Sequence, residues 1–204
     1  MRLSAPRITP VDLDDLTEDQ REALAPFLKS GWVINIFKTL ARAPRALKRF
    51  NVWAGYVMSD KNALTPRDRE LVILRTGYLC GSGYEWSQHV TIGLREGLTE
   101  DEVERIKVGP EAAAWSARDV ALLQATDELV RDHFISDRSW SALDFLNEKQ
   151  RMDVVFTTAQ YTQVSMMLNS FGVQLDKGQS LDPDLDRRGC SLVVADPDQA
   201  FLGR

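Results

Sequence analysis

The sequence predicts an all-α fold, and three observations carry that prediction. Apolar residues recur at helical spacing over most of the chain. Helix-start signals follow one another at Thr17-Glu18-Asp19-Gln20, Thr65-Pro66-Arg67-Asp68 and Thr99-Glu100-Asp101-Glu102, where a hydroxyl can cap free backbone N–H groups. No β-alternation of any length appears. The chain has 204 residues, 44% hydrophobic and 27% charged, which suits one globular domain with a substantial core.

Taken in order, residues 1–16 read as an N-terminal arm, because Pro6 and Pro10 break helix and acidic residues follow. Residues 17–173 form the helical domain. A short helix from Thr17 reaches about Lys29, and another begins near Ile34 and is divided at Pro44, its longer piece running from Arg45 to Met58. The next helix starts at Thr65, with Pro66 suited to the first helical position, and ends near Cys80. Leu71, Val72, Ile73, Leu74, Tyr78 and Leu79 cover nearly its whole circumference, the pattern of a central, buried helix. Gly81-Ser82-Gly83 breaks it, and a partner runs from Tyr84 to Glu96. Helices follow from Thr99 to Lys107, Ala117 to His133, Trp140 to Leu146 and Glu148 to Phe171. Residues 174–204 read as a C-terminal arm rich in Gly and Pro; its run Leu192-Val193-Val194 suits a strand or an arm laid on a neighbouring subunit.

The net charge of −5 argues against nucleic acid as a partner, and the basic cluster Arg42, Arg45, Lys48 and Arg49 reads as a solvated helix face. No apolar run approaches the roughly 18–20 residues that cross a bilayer, so no membrane association is expected. The absence of a signal-like start and the presence of only Cys80 and Cys190 point to the cytoplasm. Two isolated histidines, His89 and His133, give no metal-ligand pattern, and no cofactor is expected.

The chemistry concentrates between Glu70 and His89. A turn as short as Gly81-Ser82-Gly83 makes the flanking helices antiparallel neighbours. Glu70 lies eleven residues before Gly81 and His89 eight after it, so their heights differ by only about 5 Å. Glu85 and His89 are spaced i,i+4 and Ser82 lies one turn earlier. Glu70, Ser82, Glu85 and His89 can therefore meet at one spot, where a carboxylate and an imidazole suit proton transfer near neutral pH. Structural alternatives stand beside this. Ser82 and Glu85 also have the form of a capping box, His89 that of a hydrogen-bonded core histidine, and Glu70 can pair with Arg67, Arg69 or Arg75 on its own helix.

Arg69-Glu70-Leu71-Val72-Ile73-Leu74-Arg75 followed by Gly81-Ser82-Gly83-Tyr84-Glu85-Trp86-Ser87-Gln88-His89 resembles the core helix pair of the carboxymuconolactone decarboxylase and alkylhydroperoxidase D (AhpD) superfamily. The resemblance extends through Asn35–Pro44 and Asp127-Glu128-Leu129 over most of residues 30–173. It implies an AhpD-like helical bundle around a central antiparallel helix pair. In the peroxidase branch, Glu is followed after eleven residues by Cys-x-x-Cys and after three more by His; here Ser82 and Glu85 stand at the two cysteine positions, so that disulfide cycle has no thiols to run on. The decarboxylase branch carries Glu-x-x-x-His in this helix, as Glu85 and His89 do.

The resemblance thus implies a cofactor-independent lyase acting on a small carboxylated lactone or related aromatic-catabolism intermediate. Glu70, Glu85, His89 and Ser82 are its catalytic candidates. Arg75, Arg67, Tyr84 and Trp86 are its substrate-binding candidates, the arginines holding a carboxylate if they turn inward. A homo-oligomer, trimer or hexamer, is implied as well. Two alternatives are a thiol-dependent peroxidase using Cys80 and a non-catalytic, oligomeric ligand-binding protein.

Overall fold

The computed structural model describes residues 1–187. Among them it contains α1 (Glu18–Ser30), α2 (Asn35–Leu40), α3 (Pro44–Val57), α4 (Pro66–Leu79), α5 (Gly83–Arg95), α6 (Glu100–Val108), α7 (Ala117–Asp132), α8 (Asp137–Ala142), α9 (Glu148–Phe171) and a 3-10 turn at Pro183–Leu185. This is the all-α, AhpD-like bundle that the sequence predicts. The run Leu192-Val193-Val194 lies outside the described residues.

α4 is the axis. The Thr65 hydroxyl caps it by accepting from the Asp68 N–H, and Pro66 occupies its first turn. Every residue from Asp68 to Gly77 is buried, because α5, α6, α7 and α9 all pack against this one helix. Leu71, Val72 and Leu74 join Leu122, Leu123 and Val154 in the main core, while Ile73 turns to Val57 and Tyr161. The left-handed turn at Gly81 (φ +60°) reverses the chain into α5. At Gly93 a Cβ would lie 2.9 Å from Leu98 and 3.2 Å from Leu74, so the missing side chain lets α5 lie close on α4.

The charges carried into the core by α4 are met from neighbouring helices. Arg75 is held bidentately by Asp127 of α7, at 2.5 and 2.7 Å, and also donates to the Ile106 carbonyl at the end of α6. Arg67 reaches Asp119 and Glu102 at 2.7 and 2.5 Å. Asp68 receives Arg118. These contacts tie α4 to α6 and α7 along one side.

A second apolar cluster, Leu24, Ala41 and Leu47 with Phe27 and Phe37, joins α1, α2 and α3. The chain ahead of α1 is non-helical and lies across the end of the bundle: the N–H groups of Arg7 and Ile8 donate to the Phe171 carbonyl, and that of Val11 to the Lys38 carbonyl. After α9, Asp176 accepts from the Asn35 N–H, the Tyr84 hydroxyl and Gln88 Nε2, at 2.8, 2.6 and 2.8 Å. One carboxylate thereby joins the segment after α9 to α2 and α5.

One element starts earlier than its sequence signal. The piece read as Trp140–Leu146 is the helix Asp137–Ala142, capped by Ser136, whose Oγ accepts from the Ser139 N–H. The Glu128 carboxylate of α7 takes hydrogen bonds from the Ser136 N–H and the Ser139 hydroxyl, at 2.7 and 2.6 Å. That partner is supplied by tertiary structure and leaves no mark in the local sequence.

Breaking the Arg75–Asp127 pair from the arginine side leaves the buried Asp127 carboxylate only the exposed Arg131, 3.2 Å away. Arg75→Met is expected to destabilise the fold by about 3–5 kcal/mol, and Arg75→Met with Asp127→Leu to recover most of that loss. Urea-unfolding midpoints of the two variants check this.

Candidate active site

α4 and α5 bring the two ends of the Glu70–His89 segment together. Glu70, fully buried, lies with Oε2 2.7 Å from His89 Nδ1. Glu85, one turn earlier on α5, places Oε1 2.9 Å from His89 Nε2. The imidazole is thus held at both nitrogens by carboxylates, with Glu85 and His89 only 4% and 7% exposed. The Tyr161 ring of α9 stands edge-on to it, with centroids 4.9 Å apart.

Burial alone would push the His89 pKa down, but the adjacent Glu85 and Glu70 outweigh it and raise the value from 6.5 to about 10. At neutral pH the ring is therefore an imidazolium, a donor at both nitrogens. Burial, and then the charges of Glu85 and Glu70, raise the Tyr161 phenol, which keeps its proton and donates to Met58 Sδ at 2.9 Å.

Glu85 and His89 open on a cavity of about 470 Å³. Its wall is mainly apolar, with Phe27, Trp32, Phe37, Phe50, Met58 and Val164 prominent. The wall also contains Tyr84, Gln88 and Gln160 and no Lys or Arg among the described residues. Tyr84 and Gln88 are already engaged by Asp176. Glu70 sits behind His89 and does not line the cavity.

Three catalytic candidates converge as the spacing implies. Ser82 is fully buried at the start of α5, forms no capping hydrogen bond and does not line the cavity. The capping box is not realised, since the Glu85 carboxylate goes to His89 instead. Nor does Glu70 pair with an arginine of its own helix; its partner is His89.

Of the substrate-binding candidates, only Tyr84 lines the cavity. The inward turn considered for Arg75 and Arg67 does not occur, because Asp127 and the Asp119–Glu102 pair hold their guanidinium groups. Trp86 faces away, into the main core beside Tyr78. Cys80 lies outside this cavity and lines a separate one with Arg2, Arg7 and Asn169; burial pushes its thiol pKa up.

The sequence reading passes over Gln160 and Gln88. Gln160 had a signal: continuing the stripe of Val164 and Leu168 back by four residues places a polar amide on the inward face of α9. No group of three or more His, Cys, Asp or Glu side chains among the described residues could hold a metal ion, and none of their helices is long and apolar enough to cross a membrane.

Helix order, the α4–α5 pair and a Glu–His–Glu cluster define an AhpD-like helical protein. Residues 44–128 match the carboxymuconolactone decarboxylase family, with Ser82 and Glu85 at the positions where the resemblance places a cysteine pair. A peroxidase-related protein from Ralstonia eutropha, described as an alkylhydroperoxidase AhpD core, superposes with a TM-score of 0.73 at 22% identity, over 84% of this chain and 93% of that one. A peroxidase-related protein from a Silicibacter species gives 0.72 at 16% identity, over 86% and 95%. The debrominase Bmp8, in complex with 2,3,4-tribromopyrrole, gives 0.69 at 12%, over 85% and 94%. At these identities the likeness is one of fold. No curated protein matches the sequence.

His89 links stability to pH. Its raised pKa favours the protonated folded state, a contribution full below pH 6.5 and lost as pH rises through about 10. Urea midpoints of the wild type are expected to fall between those limits, and His89→Gln to remove that part of the fall. A His89 imidazole resonance, assigned by its loss in His89→Gln, that titrates near 6.5 by NMR contradicts the assignment.

Proposed function

We propose that the protein is a cofactor-independent acid–base enzyme that moves a proton on a small, mainly apolar organic molecule, in lyase- or isomerase-type chemistry. The observation that carries this reading is the Glu85–His89–Glu70 chain, of which Glu85 and His89 form part of the wall of an apolar cavity of about 470 Å³. Glu85 Oε1 lies 2.9 Å from His89 Nε2, and the residue is part of the cavity wall. Glu85 is the group placed to take a proton from a carbon adjacent to a carbonyl. The electron pair left behind delocalises into that carbonyl as an enolate or dienolate. The same proton, returned from Glu85 to a different carbon, completes an isomerisation. His89, as imidazolium, stabilises the Glu85 carboxylate, and Glu70 fixes the ring through Nδ1.

The cavity also bears on substrate charge. Two carboxylates and one imidazolium leave it net negative, and no Lys or Arg in its described wall offsets them. A neutral enol lactone suits this surface better than the carboxylated lactone implied by the family resemblance. The thiol alternative finds no support in the site, because Cys80 opens elsewhere and burial disfavours its thiolate. We also infer a homo-oligomer, since Val52 and Met152 are apolar and exposed and a second copy would cover such a surface.

The test is deuterium incorporation, followed by proton NMR in D2O, into α-angelica lactone and its carboxymethyl analogue. Enzyme-dependent exchange is expected, faster for the neutral lactone, and Glu85→Gln is expected to slow it by about a hundredfold or more with the fold intact. Absence of enzyme-dependent exchange into either lactone refutes the reading.

A further inference from the structure

Gln160 is a buried amide with nothing to bond. It projects from α9, is 2% exposed, and neither Oε1 nor Nε2 has a hydrogen-bond partner. Unpaired polar atoms in an interior are rare and costly, and each calls for an explanation. Gln160 contributes to the wall of the Glu85–His89 cavity and also to that of a neighbouring cavity of about 620 Å³, lined by Leu40, Trp53 and Met167. Phe50 is the other side chain common to both walls. The amide therefore stands at the partition beside the candidate acid–base chain, one residue before the Tyr161 that edges His89.

Among the other neutral polar groups of the wall, Asn51 is half-buried and so not an orphaned interior amide. Tyr84 and Gln88 are committed to Asp176. Gln160 offers an acceptor and a two-proton donor side by side, and the terminal torsion of a glutamine is soft enough to turn them toward a ligand. An apolar cavity with a few convergent polar groups is the usual form of a small-molecule site.

We infer that Gln160 is the anchoring residue of this cavity and that its ligand is a compact, uncharged ring bearing a hydrogen-bond donor beside an acceptor, as in a cyclic amide or a hydroxy-substituted enol lactone. Paired hydrogen bonds to Oε1 and Nε2 satisfy both orphan atoms at once and set the ring's orientation relative to Glu85. This rests on the cavity being the substrate site proposed above, but its readout is binding and not turnover.

The probes are 2-pyridone, which carries the donor–acceptor pair, and N-methyl-2-pyridone, which lacks the donor, each titrated into the full-length protein by calorimetry. The wild type is expected to prefer 2-pyridone by about tenfold. Gln160→Met keeps the side-chain volume and removes the unpaired amide; it is expected to abolish that preference while leaving affinity for the N-methyl compound within about twofold. Gln160→Leu is the second variant should the first fold poorly. Equal binding of both probes by the wild type, no binding of 2-pyridone, or a preference that survives in Gln160→Met or Gln160→Leu overturns the inference. Deuterium exchange without the preference overturns anchoring alone, and the preference without exchange overturns acid–base chemistry alone.

Discussion

Everything in this structure depends on neutralising the charges that α4 takes into the interior. A helix buried on all sides would ordinarily be apolar throughout. Besides Arg69, which donates to the Ser59 carbonyl, this one carries Arg67, Asp68, Glu70 and Arg75 into or against the core, and an unpaired charge there is costly. Each therefore dictates a neighbour: Asp119 and Glu102 for Arg67, Arg118 for Asp68, Asp127 for Arg75, and His89 for Glu70. The first three fix α6 and α7 in register. The fourth fixes α5, and with it the pairing whose histidine forms part of the Glu85–His89 cavity wall.

The same electrostatics give the site its character. His89 becomes a cation because two carboxylates surround it in a place where water is scarce. Glu70 contributes from behind the ring, and Glu85 from the cavity side. The arrangement differs from a lone catalytic histidine, whose ring would be neutral near pH 7. In the proposed reaction the carboxylate at the cavity wall is the exchanging group and the imidazolium its support. The apolar wall of Phe27, Phe37 and Phe50 limits hydration of the pair, which strengthens every charge–charge term within it.

Much of this was legible in the residues themselves. The apolar girth of α4, the caps at Thr17, Thr65 and Thr99, and the turn at Gly81 were enough to predict the bundle and the meeting of Glu70 with His89. Local periodicity cannot reveal which of two remote partners a long side chain will choose. Arg75 lies on a helix beside a candidate site, yet Asp127, fifty-two residues on, claims it. Trp86 follows Glu85 directly, and that adjacency sends it to the opposite face of α5, into the core. The stripe of Val164 and Leu168 places Gln160 on the inward face of α9, but that its amide lacks partners is visible only once the surrounding side chains are in place.

The clamps on Arg67, Asp68 and Arg75 face α6 and α7, whereas the cavity draws its wall from the helices before α4 and from α5 and α9. Architecture and chemistry therefore occupy separate portions of one small molecule. Substitutions at the cavity wall can accumulate without loosening the scaffold, so a lineage built this way is free to diversify its reactions while conserving its skeleton. Proteins described as peroxidase-related and as a debrominase share this fold at 12–22% identity.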